Sequence, residues 1–318
     1  MGSHNFASSN HPDSPTLYEA LTTANRPLHY KHTAANARID TRTVYPNIRM
    51  TVVHWDGFNI ESLKQAYDDI LSSSLDSQVR DSDSKADEIN TLKQLKLACE
   101  KDILQPICQA LVKGTNFIAG RLLQATPNVE IIVDDHFPSN RGYVSGLSLR
   151  SSDNASNRTA RARLVMSCFY CASAWRSDRL RQHSRLALIP LRRLAWYCLE
   201  SNTRYGFIFT DEELVVMRVS AVESVRSWAS CQVEWKSISL SDSGPNVLTA
   251  KLSLWFLTMM SLHEDYRTIC APGQLLPVNR WWRHRDCNRK VVFQHHLSMR
   301  QVAKEPADAD VEDMNLIL

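Results

Sequence analysis

The most informative apolar patterning in the chain lies at Leu191–Val219. Pro190 stands where the first turn of a helix tolerates a missing N–H, and Leu191, Leu194, Ala195 and Cys198 follow at i, i+3, i+4 and i+7. Two apolar runs of strand length come next, Gly206–Thr210 and Glu213–Val219. The pattern predicts a helix feeding two strands, one edge of an α/β core.

The same reading extends along the chain. Ile48–His54 predicts a strand closed by the turn Asp56-Gly57, after which Asn59 caps an amphipathic helix carrying Ile60, Leu63, Tyr67, Ile70 and Leu71. From Ile89 to about Leu111 the apolar positions Leu92, Leu95, Ile103 and Ile107 have helical spacing, with Pro106 as a kink or restart. Val129–Val133 and Tyr143–Leu149 predict strands. Ala160–Arg181 predicts a helix, because Leu164, Cys168, Cys171 and Trp175 fall at i, i+4, i+7 and i+11. Cys231–Ile238 alternates like a half-buried strand, and Val247–Leu262 predicts the last strong helix.

Strands and helices in alternation favour layered α/β packing over a sandwich. The Ser/Asp-rich stretch 72–87 reads as a linker. The expected organisation is therefore an irregular, helical N-terminal extension (1–75), a linker (76–87), an α/β domain (88–304) and an acidic, solvated tail (305–318).

Composition adds the size of the core and the placing of charge. A chain of 318 residues that is 43% hydrophobic can bury a sizeable core. The net charge is only +3, yet residues 141–193 hold eleven arginines, no lysine and two acids. Arg161, Arg163, Arg176, Arg179, Arg181 and Arg185 are expected to form a basic face together with Arg283 and Arg285, whose field attracts polyanions. The run NRWWRHRDCNRK (279–290) interleaves these last arginines with Trp281 and Trp282, which suits phosphate contact with base stacking. The plainer alternative packs the tryptophans on the core and turns the arginines to solvent or to an acidic protein partner.

Cys168 and Cys171 have metal-ligand spacing, and His183 with Cys198 would complete a zinc site, but all of the apolar patterning around them points to buried, reduced thiols; no metal is expected there. The N-terminus lacks a basic region followed by an apolar one, and no stretch is long enough to cross a bilayer, so a cytoplasmic or nuclear protein without a membrane partner is expected. Oligomeric state is not encoded in any of these patterns.

The run TRYGFIFTDEELVV (203–216) resembles one that follows the catalytic strands in uncharacterised fungal proteins related to the PD-(D/E)XK nucleases, and the resemblance covers roughly residues 89–265. It implies a restriction-endonuclease-like mixed sheet flanked by helices. In such nucleases a helix supplies a Glu, a strand end an Asp, and the next strand an (Asp/Glu)-x-Lys, which together hold Mg²⁺ and position the attacking water. The resemblance places Glu100 on the helix and Asp134 or Asp135 at the strand end. At the third position it meets Gly146-Leu147-Ser148-Leu149, with Leu where the acid and the Lys belong. A catalytically degenerate fold kept as a binding or accessory protein, possible partners being nucleic acid or an acidic protein, is the leading expectation. A protein-interaction factor of a fungal specialised-metabolite or effector pathway is the second, and a Mg²⁺ nuclease with displaced acids the third; only the last needs a cofactor.

Overall fold

The computed structural model describes residues 15–31, 49–74, 88–107, 110, 129–134, 144–151, 160–182, 185–223 and 228–314. Its centre is a seven-stranded mixed sheet in the order β2-β9-β8-β7-β6-β5-β4. The strands are β2 (Arg49–His54), β4 (Val129–Asp134), β5 (Val144–Ser151), β6 (Ala160–Phe169), β7 (Tyr205–Phe209), β8 (Glu213–Glu223) and β9 (Trp228–Ser239), while the short β1 (His29–Tyr30) and β3 (Glu88–Ile89) pair with each other in parallel. β4, β5 and β6 form an antiparallel meander, and α4 (Ile189–Glu200) carries the chain from β6 across to β7, which lies parallel to β6. β7, β8 and β9 are again antiparallel, and β2 closes the sheet parallel to β9.

Helices cover both faces. On one, α4 packs Leu191, Leu194 and Cys198 against Met166, Ile208, Val215, Met217 and Val233. On the other, α1 (Leu17–Thr22), α2 (Ile60–Leu71), α3 (Leu92–Cys99) and α5 (Ala250–Ser261) share a core with Phe169, Phe207, Phe209, Leu214 and Val216. Consecutive residues of β7 and β8 thus enter opposite cores, which is why both read as unbroken apolar runs. Every residue of α5 is buried, as befits a helix enclosed on all sides. The cluster holding Leu17, Leu63 and Tyr67 also holds Leu95 and Trp255, so one core spans the expected boundary at 76–87, and β2 is an edge of the main sheet. The described residues hold no helix long and apolar enough to cross a membrane.

Two expectations change. Residues 160–169 are a strand and not a helix; only a 3₁₀ turn, Ser177–Gln182, follows. Leu164 to Phe169 are all buried, and a short run buried on both faces has no period of two to betray a strand, so pairing with β5 and β7 decides it. At Pro106 the helix does not restart. It widens at Glu100–Leu104 into a π-turn, where Gln105 N–H donates to the Glu100 carbonyl, and continues to Ile107.

At Gly206 α4 packs tightly on the sheet. A Cβ there would lie 3.1 Å from both Cys198 Sγ and Leu194 Cγ. Gly206→Ala is expected to cost about 1–3 kcal/mol by overpacking, read from the midpoint of urea unfolding, and Gly206→Val more. An alanine variant as stable as the parent would show that α4 is free to shift.

A smaller sheet, β12-β11-β10-β13, is built from β10 (Arg280–Arg285), β11 (Val291–His295), β12 (Gln301–Val302) and β13 (Asp310–Asp313). β10 and β11 form a hairpin, and β13 lies parallel to β10 on its other side.

Candidate functional site

The strand directions bring the carboxyl ends of β2, β9, β7 and β6 to one edge of the main sheet, where β8 begins. Such an edge is where open α/β sheets bind ligands. Here it carries a cavity of about 460 Å³ lined by Asn25, Arg26, Leu28, Arg176, Asp211, Glu212, Glu213, Ser239 and Ser241. A second opening, bounded by His54, Ser177, Asp178 and Trp235, meets the first at Ser237.

The β7–β8 turn shapes this edge. Thr210 Oγ1 accepts from the backbone N–H groups of Glu212 (3.1 Å) and Glu213 (2.9 Å), a local side-chain turn that fixes where the acids point. Asp211 accepts from Ala172 N–H (2.7 Å), and Glu213 accepts from Ser177 N–H and Ser177 Oγ (each 2.6 Å) and from Ser237 Oγ. The loop after β6 therefore hangs from the two acids. Arg176 pairs with Glu212 (2.9 Å) and Arg179 donates to the Ala174 carbonyl (2.8 Å). The Ser177 hydroxyl, largely buried, donates to the Glu213 carboxylate and so anchors the loop. What the cleft offers is a polar, mixed-charge lining suited to holding a ligand.

The run 203–216 has a structural task at nearly every position. Thr203 Oγ1 donates to the Leu164 carbonyl (2.7 Å), buried Arg204 donates to the carbonyls of Thr268 (2.7 Å) and Asp265 (3.2 Å), Gly206 admits α4, and Thr210, Asp211 and Glu213 build the edge just described. Further along β8, Arg218 enters the core and binds Glu234 of β9 (2.6 Å), the Leu276 carbonyl (2.9 Å) and the face of Trp55 (4.9 Å from the ring centre).

The expected site residues fall on several elements. Glu100 lies in the π-turn, 3.5 Å from Lys96 Nζ. Asp134 ends β4 opposite Gly146, and Asp135 lies outside the described residues, as does His183. Arg161 and Arg163 stand at the start of β6, Arg163 donating to Ser201 Oγ (3.2 Å), whereas Arg176 and Arg179 follow its far end. From Arg163 to the end of β6 is about 20 Å at about 3.3 Å per residue, so these four do not share one helix face. Trp281 is fully buried against His295, while Trp282 is half-buried beneath Arg280. Arg283 is not turned to solvent alone: its guanidinium grips Asp313 (2.6 and 2.8 Å), holding that carboxyl below its ordinary range, and Arg280 grips Asp310 and Glu312. Arg285 donates to the Arg289 carbonyl (3.0 Å). The acidic segment expected to be solvated is thus the partner of the basic run.

Cys168 and Cys171 leave the end of β6 toward opposite cores, so they do not form a ligand pair; burial pushes the Cys168 thiol up to about 12 and Cys231 to about 11, leaving them protonated and unreactive near neutrality. Among the described residues no three His, Cys, Asp or Glu side chains converge to hold a metal ion.

Sequence reasoning passed over Glu213, Ser177 and Ser237. The available signal was Thr210-x-x-Glu213 between two strands, the spacing of a side-chain-closed turn. It also passed over Arg218, a lone charge inside an apolar strand, which demands a buried partner. No family model matches the chain, and searches of curated proteins and of solved structures returned no match.

Proposed function

We propose that this chain is a binding or accessory protein on a nuclease-like α/β scaffold and that it does not hydrolyse nucleic acid. One observation carries the reading. β4 and β5 pair so that Asp134 stands opposite Gly146, Val133 opposite Leu147 and Ile131 opposite Leu149. A nuclease of the kind the sequence resembles needs a carboxylate and a Lys on the strand beside its Asp, and these positions carry leucine, which has no lone pair for Mg²⁺ and no charge to offset a phosphoryl transition state. The helix, strand and neighbouring strand nevertheless occur in the order the resemblance implies, which supports a retained scaffold with lost chemistry.

The carboxyl-edge cleft is the binding surface in this reading. Its hydroxyls, carboxylates and guanidinium groups suit a polar ligand.

Purified protein given DNA or RNA with Mg²⁺ or Mn²⁺ is expected to release no product above the protein-free background. Metal-dependent cleavage that disappears in Asp134→Ala or Asp135→Ala would overturn the proposal.

A further inference from the structure

β10 is held firmly on one side and loosely on the other. Its inner side chain Trp281 is buried, and its ladder to β11 runs the length of the strand from Trp281 to Arg285. On the opposite edge lies β13, none of whose four residues is buried. The segment that leads into it, residues 303–309, also runs over the surface without a buried residue.

What holds β13 is of two kinds. Main-chain pairing sets Arg280 beside Asp310 and Arg283 beside Asp313, with Asp310 N–H donating to the Asn279 carbonyl (3.0 Å) and Met314 N–H to the Arg283 carbonyl (2.9 Å). Any extended chain can make those bonds, as in strand addition to a sheet edge. Specificity comes from carboxylates: Arg280 takes Asp310 through Nε (3.1 Å) and Nη2 (2.9 Å) and Glu312 through Nη1, while Arg283 takes Asp313. Asp310 and Glu312, two apart, lie on one side of the strand, and Asp313 on the other. The edge therefore reads a pattern of acid, any residue, acid, acid.

We propose that the edge of β10, with Arg280 and Arg283, is a docking site for an extended acidic peptide of a partner protein, and that residues 310–313 occupy it in cis. The Arg283–Asp313 pair is exposed, and the carboxylates that Arg280 holds stand open to solvent although Arg280 itself is largely covered, so water can replace each acid and the segment can be exchanged; while in place it shields an edge strand that would otherwise invite uncontrolled pairing. A tethered segment acts at an effective concentration on the order of millimolar, which sets the affinity a partner must exceed. This names a partner class for the accessory reading above and rests on that reading, but its test involves neither metal nor cleavage, so either can fail without the other.

The probe is a labelled peptide with the sequence of residues 305–318, titrated into the full-length protein. The parent chain is expected to bind it weakly. Asp310→Asn, Glu312→Gln and Asp313→Asn combined in the full-length chain loosen the cis segment and should tighten peptide binding at least tenfold. Adding Arg280→Glu and Arg283→Glu should abolish it, and a peptide with the same three acids neutralised should not bind. In the parent, native-state hydrogen exchange should be at least tenfold faster at the β13 amides than at those of β11. Equal protection of β13 and β11, a triple variant that unfolds or binds no tighter than the parent, or binding indifferent to the arginine reversals would each overturn the proposal. So would preference of the triple variant for a single-stranded oligonucleotide over the peptide.

Discussion

Arg218→Met is expected to lower the unfolding free energy by about 3–5 kcal/mol, the largest loss from any single substitution considered for this chain. Arg218 and Glu234 face each other across β8 and β9, and both are largely removed from water. Removing the guanidinium strands the Glu234 carboxylate in the interior, leaves the Leu276 carbonyl without its donor, and takes the cation from the face of Trp55. The double variant Arg218→Met, Glu234→Met should be less destabilised than Arg218→Met alone, because no lone charge is left behind. Guanidinium unfolding of the two single variants and the double supplies the cycle. A single variant that loses less than about 1 kcal/mol, or a double variant that loses the full sum of the singles, would show that the pair does not act as a unit.

The second large effect is acid lability. His295 is fully buried, and burial is the main cause holding its imidazole at about 4, against an ordinary value of 6.5. Nε2 lies 2.8 Å from the Val278 carbonyl and so carries the proton, while Nδ1 accepts from the backbone N–H groups of Leu297 and Ser298 (each 3.3 Å). A second proton would have to displace those donors, with Arg300 opposing it. The sign follows from which state binds the proton first. As pH falls through 6.5 the unfolded chain takes up a proton that the folded chain refuses until about 4. His295 thus leaves stability intact above pH 6.5 and removes about 3 kcal/mol of it by pH 4, with little further change below. Its neighbour His296 is depressed in the same direction, chiefly by burial, and adds to the loss. Unfolding free energies measured from pH 7 to 4 should show this slope, and His295→Gln should flatten it. An unchanged slope in the variant would assign the acid sensitivity elsewhere.

Much of the main sheet was legible in the sequence because its strands carry local signals. The strands at 129–134, 205–209 and 213–223 are short β-branched or aromatic runs between turn residues, and α4 and α5 have clean entry signals in Pro190 and Thr249. β6 was not legible, since an apolar run that serves two cores carries helical and strand spacing equally well. The site was less legible still. Leu147 and Leu149 stand out only against the acid and lysine that the resemblance implies there; by residue type and spacing alone they are ordinary strand residues.

Sequence alone thus determined that the chain builds a helix-and-strand core with buried thiols, since side-chain chemistry and local periodicity are properties of the chain itself. Tertiary structure decided what pairs with what. It turned Asp211 and Glu213 from a charge cluster into the anchors of the loop after β6 and sent Arg161 and Arg176 to opposite ends of one strand. It laid residues 310–313 on the arginines of β10, roughly thirty positions away along the chain. Such encounters depend on strand order and direction, which are fixed by long-range packing, and no window of local sequence contains both partners.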